Sequence, residues 1–266
     1  MEIIKTQLED ILKFPFKEKD WFNTFGIYVI ISVIAGPIII AFSIPIIILA
    51  LTITPILNIA ILLILFLIPL FIINLYLQGY ILEMINNVKQ KKEEEKPKHK
   101  DINLKLKLGL DKFIISIGPI FLGLILLAIS IAIILYGVFL LEETASTLAI
   151  LLIVLGSFKA FFSILVLVFI STMIIPSMLY LYLKTKSIAK SYCSKNIWLI
   201  IRNIWKEFLV IYLFTFLISM IVSTLGQMPC IGFFILLIGA SYITFVSNFL
   251  VGKVFVEIDK LKLFKG

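Results

Sequence analysis

Six long stretches of the chain are almost wholly apolar: residues 24–53, 55–85, 113–141, 147–183, 208–226 and 229–256. A helix crosses a hydrocarbon core of about 30 Å with about 20 apolar residues, and each stretch reaches or nearly reaches that length. Backbone groups in lipid have no water to bond, and the runs lack the period-2 alternation of barrel strands, so each is predicted as a helix. The pattern changes ahead of each pair of runs. Near the start, Ile4, Leu8, Ile11 and Leu12 fall on one helical face and Glu9, Asp10 and Lys13 elsewhere, until Pro15 interrupts. Later, Ile197, Ile201, Ile204, Trp205 and Phe208 make a similar stripe, with Arg202, Asn203 and Lys206 off it. Both patterns predict helices lying in the membrane surface. The middle entry, "INLKLKLGLDK" at 102–112, alternates apolar and polar residues. It reads either as extended chain or as a lysine stretch whose stems snorkel.

Composition agrees with lipid as the solvent. The 266 residues are 61% hydrophobic and 15% charged, with a mean hydropathy of +1.14. Soluble domains hold about 45–50% apolar and about 25% charged residues. The net charge of +8 comes almost wholly from lysine, and Arg202 is the only arginine. Base readout and bidentate phosphate binding favour arginine, so nucleic acid is not expected as a partner.

The cations also set the topology. Four lie in 1–20, nine in 89–112, six in 184–206 and four in 253–265, and Lys159 is the one left over. The other connections, near 52–55, 141–147 and 225–229, carry no Lys or Arg. Six spans with every basic segment on one side place both termini and both long linkers in the cytoplasm of a cell-membrane protein. All three tryptophans, Trp21, Trp198 and Trp205, sit at the basic entries. The start of the chain has no basic n-region and no small-residue cleavage site, so the first span is expected to act as its own insertion signal.

The last span repeats the second. At an offset of 174, Pro55 meets Pro229, Phe71 meets Phe245, Asn74 meets Asn248 and Glu83 meets Glu257. The preceding spans match at 184, where Trp21, Ile27 and Tyr28 meet Trp205, Ile211 and Tyr212. A unit of interfacial helix, span, Pro-started turn, span and exit Glu thus occurs twice in one orientation. It predicts Asn74 and Asn248 at matching depths. The middle pair of spans reads as a diverged third copy only through "LYLYL" at 179–183.

"FPFKEKDWF", "PILN", "QGYILEMI", "LKLGLDKFI" and "MPCIGFFILLIGASYITFVSNFLVGK" together resemble the prokaryotic membrane family called domain of unknown function 4013. The resemblance covers nearly the whole chain. It implies a multi-pass membrane protein without an assigned reaction, and it brings no catalytic residues.

Six polar positions stand out. Asn74 and Gln78, four apart, share a helical face, and Glu83 is about half a turn round and roughly 14 Å further on. Asn74 and Asn248 suit a helix–helix hydrogen bond or a polar pathway. Glu83 and Glu257 suit the cytoplasmic boundary, where Glu83 would pair with a nearby Lys. Lys159 suits the outer interface, with 145–158 as an outer interfacial or re-entrant segment, or else a buried functional lysine. His99, the only histidine, sits in the charged linker "KQKKEEEKPKHK" without ligand partners. Cys193 and Cys230 have no metal-binding spacing.

The expected fold is an all-α membrane bundle of about six spans with cytoplasmic-side amphipathic helices and pseudo-repeated hairpins. It divides into 1–88 (interfacial helix and hairpin 1), 89–112 (basic linker), 113–183 (hairpin 2) and 184–266 (interfacial helix, hairpin 3 and basic tail). No catalytic, cofactor-binding or metal residue is expected, and no cofactor. The expected role is non-enzymatic: membrane organisation, lipid binding or complex formation. The alternative is a transporter or channel for a small solute or lipid. The expected partners are membrane lipids, anionic headgroups at the cytoplasmic face, and a second copy or another membrane protein.

Overall fold

The structure is a computed structural model that describes residues 12–16, 22–34, 56–90, 97, 101–144, 147–228, 231–261 and 263. Among the described residues from Ile56 onward, seven helices follow in order: α1 (Ile56–Lys89), α2 (Ile102–Thr144), α3 (Thr147–Phe169), α4 (Ile175–Thr185), α5 (Ile188–Ser191), α6 (Ser194–Leu225) and α7 (Gly232–Lys260). A π-helical turn, Ile170–Ile174, joins α3 to α4. No strand occurs among the described residues. Among the described residues, five helical segments are long and apolar enough to cross a membrane. Of the expected first span only the apolar helix Thr24–Ile34 is described, and the expected interfacial helix at the N-terminus lies, but for Leu12 and Lys13, outside the described residues.

The stretch 102–112 is helical and belongs to α2. Its alternation is real, but a second spacing outweighs it. Lys105 and Gly109 are buried, and four residues apart they share one helical face. A helix also satisfies its own backbone, which an isolated extended segment at the membrane does not.

The chain forms two compact units, Met1–Phe113 with Lys206–Gly266, and Ile114–Trp205. The expected boundaries follow hairpins, whereas the units cut through α2 and through α6 near a backbone break at Ile204 (φ −130°, ψ 16°).

In the first unit, α1 and the start of α2 pack antiparallel. Phe71 meets Phe113 edge-on at 5.1 Å, and Gly109 lies against the Leu75 backbone. α7 packs on α1 in parallel, with Tyr80 and Phe245 5.9 Å apart and Gly252 beside Val88. Phe245 is fully buried, and Phe25 and Tyr28 also pack on its ring, at 5.0 and 4.7 Å. The Phe14–Phe16 turn closes on α7: Phe14 stacks on Phe249 at 3.9 Å, and the Tyr242 hydroxyl donates to the Leu12 carbonyl at 2.7 Å.

In the second unit, α2 and α3 form an antiparallel hairpin with a seam of small residues. Gly123, Ser130 and Gly137 of α2 and Ala149, Gly156 and Ser163 of α3 are all buried, seven residues apart on each arm. A strict seven-residue repeat keeps one narrow face turned to the partner through a left-handed twist. Small residues let the backbones approach where lipid offers no hydrophobic drive to association. The Ser130 and Ser163 hydroxyls share a hydrogen bond of 3.2 Å, and Gly137 abuts the Ala149 carbonyl.

Proline breaks the hairpin's backbone pairing at two places. Pro119 leaves the Ile115 carbonyl without its i+4 donor. The Tyr192 hydroxyl, from the turn after α5, reaches it at 3.1 Å and the Ile114 carbonyl at 2.7 Å, beside Gly118. Partial burial raises the Tyr192 phenol above its ordinary value, which keeps it a donor. Tyr192→Phe is expected to lower stability by about 1–3 kcal/mol, the cost of an unmet polar group. Thermal unfolding in detergent reads this, and an unchanged Tm would remove the role. Pro176 is accommodated differently, directly after the π turn, and there Ser177 donates to the Met173 carbonyl at 2.7 Å.

Candidate functional site

The first unit holds an ion pair at the foot of α1 and α2. Lys105 Nζ lies 3.2 Å from Glu83 Oε2; the lysine side chain is 0% exposed and the carboxylate 21%. Neither atom makes a hydrogen bond of good geometry, so the attraction is coulombic. Two glycines create the pair. At Gly79 and Gly109 the backbones of α1 and α2 touch, because a methyl on Gly79 would fall on the Lys105 carbonyl and one on Gly109 on the Leu75 carbonyl. That closeness brings Lys105 under α1, one turn from Glu83. Burying the two charges is costly, and only their mutual attraction offsets it.

Glu83 thus pairs with a lysine, as its position suggests, but the partner comes from across the basic linker and is buried. Glu257, its counterpart in the repeat, pairs with Lys260 on its own helix in the open. Asn248 donates from Nδ2 to the Thr244 carbonyl of its own helix at 2.7 Å, and Asn74 lies exposed on α1. Gln78 is half-buried beside Gly79. The two asparagines do not meet. α7 packs on α1 with Phe245 at Tyr80 and Gly252 at Val88, about nine residues from the register that equal depth requires, or roughly 14 Å. The matching depths expected of the repeat are therefore not found.

Lys159 lies exposed in the body of α3, and Ser163 donates to its carbonyl at 2.9 Å. The expected separate segment at 145–158 is replaced by helix from Thr147 onward, because the seam residues Ala149 and Gly156 hold it against α2. An open depression of ≈ 370 Å³ lies between the ends of α1 and α7, lined by Lys89, Gln90, Val256, Asp259 and Lys260. Its charges pair off, Lys89 with Asp259 at 3.8 Å and Lys260 with Glu257.

Lys105, Tyr192 and the seam are the residues that hydropathy missed. Lys105 and Gly109 stand at helical spacing, and the seam repeats every seven positions, so both signals are present in the sequence. No curated protein and no solved structure matches the chain. Residues 62–231, well over half its length, match the family described as protein of unknown function (DUF4013), and the chain belongs to that family.

Proposed function

We propose that the protein organises the membrane without catalysing a reaction: a helical frame, rooted at the cytoplasmic face, that gathers lipids and membrane partners along its hairpins. The observation that carries this reading is the distribution of side chains on the α2–α3 hairpin. Its inner seam is Gly, Ala and Ser in close contact, and its outer faces present large apolar groups such as Leu135 (63% exposed) and Phe158 (64%). A conduit along this hairpin would need polar groups gathered inward, whereas its seam is closed and its outer faces are adhesive to lipid or helix.

Lys159 supports the same picture. It lies about 26 Å along the hairpin from Ile114, where Tyr192 ties on the basic turn, which is close to one hydrocarbon thickness. The apolar surface continues beyond it towards Leu148 and Leu151. The clustering of cations supports cytoplasmic termini.

Reconstitution into liposomes tests the reading. Solute flux should equal that of protein-free vesicles, and a photo-reactive residue at Phe158 should give adducts with lipid or a second membrane helix. Protein-dependent flux of a small solute or ion would overturn it in favour of transport.

A further inference from the structure

α6 is two helices in one. Its break at Ile204 separates Ser194–Asn203 from the span that follows. Of the expected stripe, Ile201, Ile204 and Phe208 are buried in the protein, Ile197 is half-buried and Trp205 is exposed, and Ile200 is buried beside them. The opposite side is the surface. There Lys195, Trp198 and Arg202 lie exposed at helical spacing, and Trp205, the first residue after the break, is exposed as well. Trp198 is 63% exposed and Trp205 43%. From Lys184 to Arg202 the chain carries five cations and no acid, and all five cations are exposed.

An exposed indole and the chain's only guanidinium on one face, with a second exposed indole just past the break, need a particular surrounding. Indole is too apolar for open water and too polar at N–H for the hydrocarbon core, so it settles among headgroups. In the sequence the apolar run of α6 begins within about one turn of Trp205, the spacing of a membrane entry. Guanidinium matches a phosphate with two parallel N–H donors, and a cluster of cations without acids attracts a negative surface.

We infer that the Lys195–Trp198–Arg202 face, with Trp205 just past the break, binds the phosphate of anionic lipid headgroups at the cytoplasmic leaflet. Arg202 takes the phosphate, Trp198 and Trp205 rest against the glycerol region, and Lys195 adds attraction. This rests on the membrane-organising reading and names the lipid class and the site.

Native mass spectrometry of the full chain tests it, after equilibration with equal amounts of phosphatidylglycerol and phosphatidylcholine of the same acyl chains. The wild type is expected to retain phosphatidylglycerol preferentially by about fivefold or more, and Trp198→Ala with Arg202→Gln to fall to near parity. Arg202→Lys, which keeps the charge and loses the fork, should fall between them. Arg202→Gln alone changes one exposed side chain, and circular dichroism verifies its fold. Should the wild type retain both lipids equally, this site is wrong and the lipid-gathering role stands; should it retain neither, both are wrong. A preference that survives in the double variant overturns the site alone. A preference lost only together with a dimer would show that a second copy covers the face, which also overturns it.

Discussion

Gly79→Ala should break the packing of α1 on α2 and cost well over the roughly 1–3 kcal/mol typical of overpacking. The added methyl has nowhere to go, because the atom it meets is the Lys105 carbonyl oxygen, with the Gly109 nitrogen close behind. A side chain can swing aside, but a helix backbone can yield only if the whole helix moves. Gly109→Ala should do the same, since its methyl meets the Leu75 backbone. Gly123→Ala is the comparison, because its methyl meets the flexible end of Leu167 and that side chain can turn. Thermal unfolding in detergent is expected to show a fall of roughly 10 °C or more for the first two and a few degrees for the third. Equal, small losses at all three would mean that the backbones are not in contact.

Membrane class and helical fold were legible because they depend on bulk properties, on long apolar runs and on where lysines cluster. The contacts that build the structure depend on the residues such a reading discards. Gly79 hides in "NLYLQGYILE" and Gly109 in "LKLGLDK". In a soluble core large apolar residues mark the interface, but between lipid-facing helices they mark the outside, and the small residues mark the contact. That is why Ala149, Gly156 and Ser163, unremarkable in hydropathy, bind α3 into one helix past Lys159. The stretch 197–208 is helical apart from the break at Ile204, but of its stripe Ile201, Ile204 and Phe208 are buried in the protein, whereas the pattern alone suggested that they face lipid.

The residues matched at the 174-residue offset have different surroundings in the fold. Phe245 is the buried centre of an aromatic cluster, whereas Phe71 lies 42% exposed against Phe113. Glu83 is drawn into a buried pair, and Glu257 is not. The neighbours explain the difference. α1 leads through the basic linker to α2, which returns antiparallel and supplies Lys105, while α7 is packed by the Phe14–Phe16 turn. Identical residues at equivalent positions acquire their roles from what the chain brings beside them.

The buried pair gives the second large effect, and its two halves should not be equal. Glu83→Leu leaves an ammonium with no access to solvent, whereas Lys105→Met leaves a carboxylate that is 21% exposed and can reach water. Breaking a buried pair costs about 3–5 kcal/mol through the charge left behind. Glu83→Leu should lie at the upper end of that range and Lys105→Met below it. The double variant, with no charge to strand, should recover most of the loss, since replacing both partners by apolar groups is often neutral or stabilising. The coupling energy from the double-mutant cycle is therefore expected to be large and favourable. Additive losses would mean that the two side chains do not compensate each other. A smaller loss for Glu83→Leu than for Lys105→Met would mean that Lys105 can reach solvent along a path the packed helices do not show.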